Sequence, residues 1–334
     1  MSRRGPLLAL ASSLLVLALL EGVARLLTGG MPAQLDCYVA TDLGLRLQAG
    51  CTRSLRQPDG QSWTLQLRDR GLRSPLTRQV PLVVGDSQVL GWGVEEEEVW
   101  RVVAEQAGTP MVAAGVPALG VGDALGHAEE LLPELRPSRL FVVVNGANDW
   151  GDARAPALER LAVAGGWLLR PEAANSFLSS FFGSPLRKSQ MLSYAAVAWG
   201  RRSAPDPRLQ RLAESPWAMP EELRQKSMRS MALPIHAFAA RHPELPLTVV
   251  FLPSDLELSE ARVDSELGSS RRYLQSEPWS SPLPWKELHN ALTGLTVLDL
   301  HTPLSEARFF QAGDYHLSAE GQARLGRELA AAAR

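Results

Sequence analysis

Five short apolar runs constrain the fold of this chain more than any other feature. They are Val80–Val84, Pro110–Ala114, Leu140–Val144, Leu247–Leu252 and Leu295–Leu300, with segments of helical periodicity between them. A strand with one wet face alternates apolar and polar residues, whereas a continuous apolar run marks a strand buried on both faces. Helix-connected strands of that kind form a parallel sheet covered on both sides. The pattern predicts an α/β fold, a three-layer α/β/α flavodoxin-like sandwich with a five-stranded parallel sheet. In such sheets ligands bind outside the carboxyl ends of the strands. The residues just after each run are therefore the ones to inspect.

Composition narrows the partners. Lys and Arg number 34 against 36 Asp and Glu, a formal charge of −2, so no electrostatic case exists for nucleic acid. The chain has no C-x-x-C, H-E-x-x-H or zinc-type spacing, and neither a metal nor a cofactor is expected.

The N-terminus carries an address. Arg3 and Arg4 precede an apolar run, Pro6–Leu20, followed by Glu21 and Arg25 at helical i,i+4 spacing. A helix extended to Thr28 reaches about 34 Å, enough for a hydrocarbon core of roughly 30 Å. Residues 1–29 are read as a signal anchor with its basic end in the cytoplasm, or as a cleavable signal peptide; length favours the anchor. Either places the rest outside the cytoplasm, in the periplasm or at the cell exterior, membrane-anchored or, after cleavage, secreted. Residues 30–79 form an exported lead-in with both cysteines of the chain, Cys37 and Cys51. In an oxidising compartment these could close a loop of about 15 residues, worth on the order of 3 kcal/mol. Residues 80–334 are the body.

Within the body, 150–246 is far longer than one crossover requires. It is read as a helical insert with amphipathic segments at Ala157–Arg170, Ser189–Trp199 and Glu221–His242, broken at Pro171, Gly183-Ser184-Pro185 and Pro205-Asp206-Pro207. The run Glu95–Glu98 is expected as a solvated acidic first turn of a helix.

Three of the inspected positions, and the final loop before the last helix, carry chemistry. The first run ends in Gly85-Asp86-Ser87-Gln88, exposing Ser87 at a helix N-terminus, where free N–H groups favour a developing negative charge. The second ends at Gly115, whose backbone N–H can approach a substrate oxygen closely. The third ends at Asn145-Gly146-Ala147-Asn148-Asp149, and the Asn148 amide can donate a further hydrogen bond. Before the last helix, Asp314-Tyr315-His316 offers a base titrating near neutrality and an acid that could hold its tautomer. Asn148 alone could equally cap a helix, and Asp314-x-His316 alone could be a surface loop. Their order, at the ends of successive strands or in the final loop before the last helix, gives them weight.

These blocks resemble the SGNH (GDSL-type) hydrolases: Gly85-Asp86-Ser87, Gly115, Gly146-x-Asn148-Asp149 and Asp314-x-His316. The resemblance spans about Val80 to Arg334. It implies Ser87 as nucleophile, His316 as general base and Asp314 as its orienter. It also implies an oxyanion hole from the Ser87 and Gly115 backbone N–H groups and the Asn148 amide. An acyl-ester substrate is implied in turn, its acyl group acetyl or short-chain and its alcohol part open to being a glycan. Gln88 stands in the place of the motif's leucine and is read as harmless. Ala113 and Ala118 stand where related sequences often carry asparagine and glycine. The family's usual Asp-x-x-His would need an acid at Gly313. The shorter Asp314-x-His316 spacing looks like that of exported polysaccharide O-acetyltransferases of the same fold, so transfer to a cell-envelope polysaccharide is the companion expectation to hydrolysis. A Ser87–His316 dyad and a non-catalytic glycan-binding protein on this scaffold are the other readings. A dinucleotide site at Gly120-x-Gly122 fails because Gly126 is one residue late. Trp92 and Trp150, each after a block, could stack on a sugar or line an acyl pocket. His301, just after the fifth run, is a residue for the edge of the site; His127, His236, His242 and His289 read as helix packing.

Overall fold

The structure, a computed structural model, describes residues 4–32, 34–57, 60–170, 184, 188–202 and 206–334. The chain enters through a helix, α1 (Arg4–Thr28). Its Ala11–Thr28 segment is long and apolar enough to cross a membrane by length and composition. Leu14, Leu15, Leu17 and Leu19 are exposed and face away from the folded body. Two antiparallel hairpins follow, β1 (Tyr38–Thr41) with β2 (Gly44–Leu47), and β3 (Thr52–Arg56) with β4 (Ser62–Gln66). Cys37 and Cys51, on either side of the first hairpin, are joined in a disulfide with their Cα atoms 6.1 Å apart. Leu45, Leu55, Trp63 and Leu65 are buried in the same core as the central sheet, so the lead-in packs onto the body.

That sheet takes three strands from before the insert, β5 (Leu82–Gly85), β6 (Val112–Gly115) and β7 (Leu140–Asn145). The insert holds a small hairpin, β8 (Ala162–Ala164) and β9 (Trp167–Leu169), and two sheet strands follow, β10 (Leu247–Leu252) and β11 (Thr296–Asp299). The order is β11-β10-β7-β5-β6, with every neighbouring pair parallel. Counted along the chain this is 2-1-3-4-5, the flavodoxin-like arrangement, and its switch point lies between β5 and β7.

The helices, in chain order, are α2 (Ser87–Leu90), α3 (Trp100–Gln106), α4 (Val121–Leu135), α5 (Asp149–Asp152), α6 (Ala157–Arg160), α7 (Gln190–Arg202), α8 (Pro207–Glu214), α9 (Glu221–Arg241), α10 (Glu260–Leu267), α11 (Leu283–Ala291) and α12 (Ala319–Ala333). Strand side chains alternate between two cores. Leu82, Val84, Val142 and Val249 pack with α4, α9 and α11, while Val83, Phe141, Val143 and Val250 pack with α3 and α12. The result is the expected three-layer sandwich. β11 is partly exposed because it is an edge strand.

Three local expectations change. Ala157–Arg170 is not one amphipathic helix: α6 ends after one turn, and the hairpin β8–β9 turns at Gly165 and Gly166, both at positive φ. Leu161 is already extended, and the two glycines supply the positive φ that the turn between β8 and β9 needs. The insert is thus helices plus a hairpin, with Ser189–Trp199 in α7 and Glu221–His242 in α9. Pro171, Gly183, Pro185 and Pro205 lie outside the described residues. The glutamate run is not merely a solvated cap. It forms a short 3₁₀ turn ahead of α3, and Glu96 pairs with the buried guanidiniums of Arg73 and Arg101, which could not be buried without a counter-charge.

Candidate active site

The turn after β5 is fixed by its own side chains. Asp86 accepts the Gln88 N–H at Oδ1 and the Asn145 amide at Oδ2, each at 2.9 Å. This caps α2 and sets Ser87 as its first residue. Gly115, at the end of β6, packs directly on this turn. A Cβ there would stand 2.2 Å from the Leu90 nitrogen and 2.7 Å from the Asp86 carbonyl oxygen, so only glycine fits.

The final loop meets the turn from the other side. Ser87 Oγ lies 2.8 Å from His316 Nε2, and His316 Nδ1 lies 2.8 Å from Asp314 Oδ1. The two-residue spacing therefore reaches. Burial pushes the Asp314 carboxyl up, but the adjacent His316 and the backbone N–H groups of Tyr315 and His316 outweigh it and hold Asp314 below the ordinary carboxylate range. An ionised Asp314 accepts Nδ1–H, and that tautomer leaves Nε2 free to accept the serine proton.

Gln88 holds this loop in place. Its Nε2 donates to the Tyr315 carbonyl at 3.0 Å and its Oε1 accepts from the Leu317 N–H at 3.0 Å, gripping both neighbours of His316. Gln88, read as a harmless replacement for the motif's leucine, makes two bonds that a leucine could not. From behind, Arg262 donates to the Asp314 carbonyl at 3.0 Å while its Nε is 2.9 Å from the buried Asp255 carboxylate.

These groups open on a cavity of about 530 Å³. Ser87, Trp92, Ala118, Asn148 and His316 form one wall; Arg160, Leu168, Arg170, Gln210 and Glu214 of the insert form the other. Gly115 does not line it. Val112 and Val116 donate their N–H groups to the carbonyls of Pro81, just before β5, and Gly85, at its end. By strand alternation the Gly115 N–H faces the outer edge of the sheet, as that of Ala113 does toward Ser74 Oγ. Ala118, three residues on, lines the cavity in a left-handed conformation, φ +69°, where the resembling family often has glycine.

Asn148 begins α5 without capping it through its side chain. Its Nδ2 donates instead to Asp152 Oδ2 at 2.8 Å, and its buried Oδ1 has no hydrogen-bond partner among the described residues. Arg160 then ties two parts of the wall together, donating to Asp152 Oδ1 at 2.6 Å and to the Ala118 carbonyl at 2.9 Å. Burial pushes the Asp152 carboxyl up to about 7, with Arg160 opposing and Glu214 adding to the rise. Sequence reasoning missed Gln88, Ala118, Asp152 and Arg160. The one signal available was that Ala118 replaces a glycine.

The remaining candidates separate. Trp92 lines the cavity, its ring centroid 5.9 Å from that of His316; Trp150 is wholly buried in the core. His301 is not at the edge of the Ser87 cavity. It lines a second cavity of about 520 Å³ and is bracketed by Asp299 and Glu257. Among the described residues, Asp36, Cys37 and Cys51 are close enough to share a metal ion, but the two sulfurs are bonded to each other.

No family model and no curated protein matches the chain. Solved structures do. Est24, a carbohydrate acetylesterase from Sinorhizobium meliloti, matches at 15% identity and a TM-score of 0.39, covering 76% of this chain and 98% of that one. The psychrotrophic esterase EstA from Pseudoalteromonas sp. matches at 12% identity and a TM-score of 0.35, covering 75% and 94%.

Proposed function

We propose that the chain is an SGNH-type serine esterase, anchored by α1 with its body outside the cytoplasm. The observation that carries this reading is the continuous hydrogen-bonded relay Ser87–His316–Asp314 at the mouth of a cavity. Ser87 Oγ attacks the ester carbonyl carbon as His316 Nε2 takes its proton, and Asp314 stabilises the imidazolium. The oxyanion is held by the Ser87 N–H, the Asn148 amide and a backbone N–H from the 115–118 turn. Ala118, in the cavity wall, is the better placed donor than Gly115. His316 then gives the proton to the leaving alcohol, and water attacks the acyl-serine with His316 again as base.

A second reading, transfer of the acyl group to a sugar hydroxyl, draws support from the insert wall. Arg160, Arg170, Gln210 and Glu214 present a polar surface suited to a polyol. The two readings share the acyl-serine and differ in the acceptor.

The folded protein should react with a fluorophosphonate probe at Ser87 and hydrolyse p-nitrophenyl acetate, and Ser87→Ala should do neither. Full turnover in Ser87→Ala would sink the reading. Absence of labelling in folded protein would favour a non-catalytic glycan-binding scaffold.

A further inference from the structure

The last two turns of α1 are built into the body. Glu21, Ala24 and Thr28 form a partly covered face of this otherwise bare stretch. The Glu21 carboxylate accepts from Ser189 Oγ at 2.7 Å, the Gln190 N–H at 2.8 Å and the Met191 N–H at 3.1 Å. These are donors at the start of α7 that have no partner within their own helix. Glu21 therefore caps a helix more than 160 residues away in sequence. The contact is reciprocated. Gln190 Nε2 donates to Thr28 Oγ1 at 3.0 Å, Arg25 to the Lys188 carbonyl at 3.0 Å, and the Tyr194 hydroxyl to the Met31 carbonyl at 3.1 Å. Cleavage near Thr28–Gly30 would remove the cap of α7.

This clamp closes one side of a cavity of about 810 Å³. Leu27 and Thr28 line it at the end of the apolar helix; Leu35 and Leu55 continue it, with Arg56, Gln57 and Asp314 as its polar part; Trp92 and Leu168 line both it and the Ser87 cavity. One end thus lies where the membrane surface must meet the protein, and the other is shared with the site of reaction.

We propose that α1 is retained on the working protein, and that the cavity it closes holds the hydrocarbon chain of a membrane-resident, long-chain acyl ester with its carbonyl at Ser87. The assignment rests on the esterase reading and adds the substrate class to it. The insert wall then faces the alcohol portion, and the acyl chain lies toward the anchor.

The test uses the full chain in phosphatidylcholine vesicles, with Gln34→Trp as the probe variant. Gln34 is an exposed residue lining this cavity and not the Ser87 cavity, so the indole fills space without entering the core. For p-nitrophenyl dodecanoate, kcat/KM should fall roughly tenfold or more in Gln34→Trp, because buried methylenes lose their contacts. For p-nitrophenyl acetate it should stay within about twofold, as surface changes usually do. An unchanged ratio of the two overturns the cavity assignment. Intact mass of protein recovered from membranes should retain α1; a new N-terminus at residues 29–31 overturns retention. Binding of a fluorescent long-chain fatty acid by Ser87→Ala, lost on adding Gln34→Trp, reads the cavity without catalysis. If the wild type hydrolyses neither ester while that binding persists, the esterase reading falls and the chain-binding cavity stands.

Discussion

The sheet-side wall of the Ser87 cavity and the insert wall opposite are held by different means. On the sheet side, the functional groups are fixed at strand ends or on the final loop clamped against them. Asp86 caps the Ser87 turn, the glycine at 115 lets β6 press against it, and Gln88 grips the histidine loop at two backbone points. On the insert side, the wall is side chains on short elements. Arg160 ends a four-residue helix, and Arg170, Gln210 and Glu214 bond to one another at 2.6 and 3.1 Å. Backbone anchoring fixes reacting atoms to a fraction of an ångström, as nucleophilic attack requires. Side-chain networks on short elements tolerate replacement, as recognition of varied alcohols requires. On the esterase reading proposed above, the difference would place rate on one wall and selectivity on the other, with Arg160 as the exception that touches both.

Four substitutions test that division, in falling order of effect. His316→Ala should lower kcat for p-nitrophenyl acetate by at least about 10³-fold with the fold intact by circular dichroism, the scale seen when a triad member is removed. A loss of tenfold or less would mean that the relay is not the catalytic one. Gln88→Leu should lower kcat by about 10–100-fold with KM nearly unchanged, because the imidazole is misplaced and not lost. An equal rise in KM would instead show that Gln88 shapes the binding wall. Arg160→Ala should cost roughly tenfold in kcat through loosened Asn148 and Ala118 donors, with partial rescue by added guanidinium. An effect confined to KM would return Arg160 to the selectivity wall.

The fourth substitution tests stability and not rate. The Asp152 carboxyl is raised to about 7 by burial, so the folded state holds a proton that the unfolded chain releases near pH 4. Stability from this group is present in acid and is lost as pH rises from about 4 to about 7, on the order of a few kcal/mol. Asp152→Asn should shallow the fall of Tm across that window. Asp149, raised in the same direction, should leave part of the slope. A steeper fall in the variant would contradict the assignment.

The fold was legible in the sequence because buried parallel strands leave an unbroken apolar signature, and Leu247–Leu252 is read to the residue. Ser87 and Asn148 were legible because strand ends are where a doubly wound sheet places ligands, and His316 because Asp314-x-His316 stands in the final loop before the last helix; the structure gathers all three around one cavity. Gln88 was not: its partners lie more than 220 residues away, and nothing local distinguishes a clamping amide from a surface one. Gly115 drew notice through its glycine, whose reason is close packing on α2 and not exposure of its N–H. The hairpin Ala162–Leu169 was hidden by an amphipathic composition that a helix would also satisfy. Glu21 looked like an interruption of an apolar run, and its use became visible only with α7 beside it.

Arg160 joins Asp152, and through it Asn148, to the carbonyl of Ala118. In evolutionary terms the insert is therefore not a detachable module. On the esterase reading proposed above, a descendant that exchanged or shortened it to accept a new alcohol would disturb the donors assigned to the carbonyl oxygen in the same step. Its first specificity changes would arrive as slow enzymes, recoverable only by a new tie between the two strand-end turns.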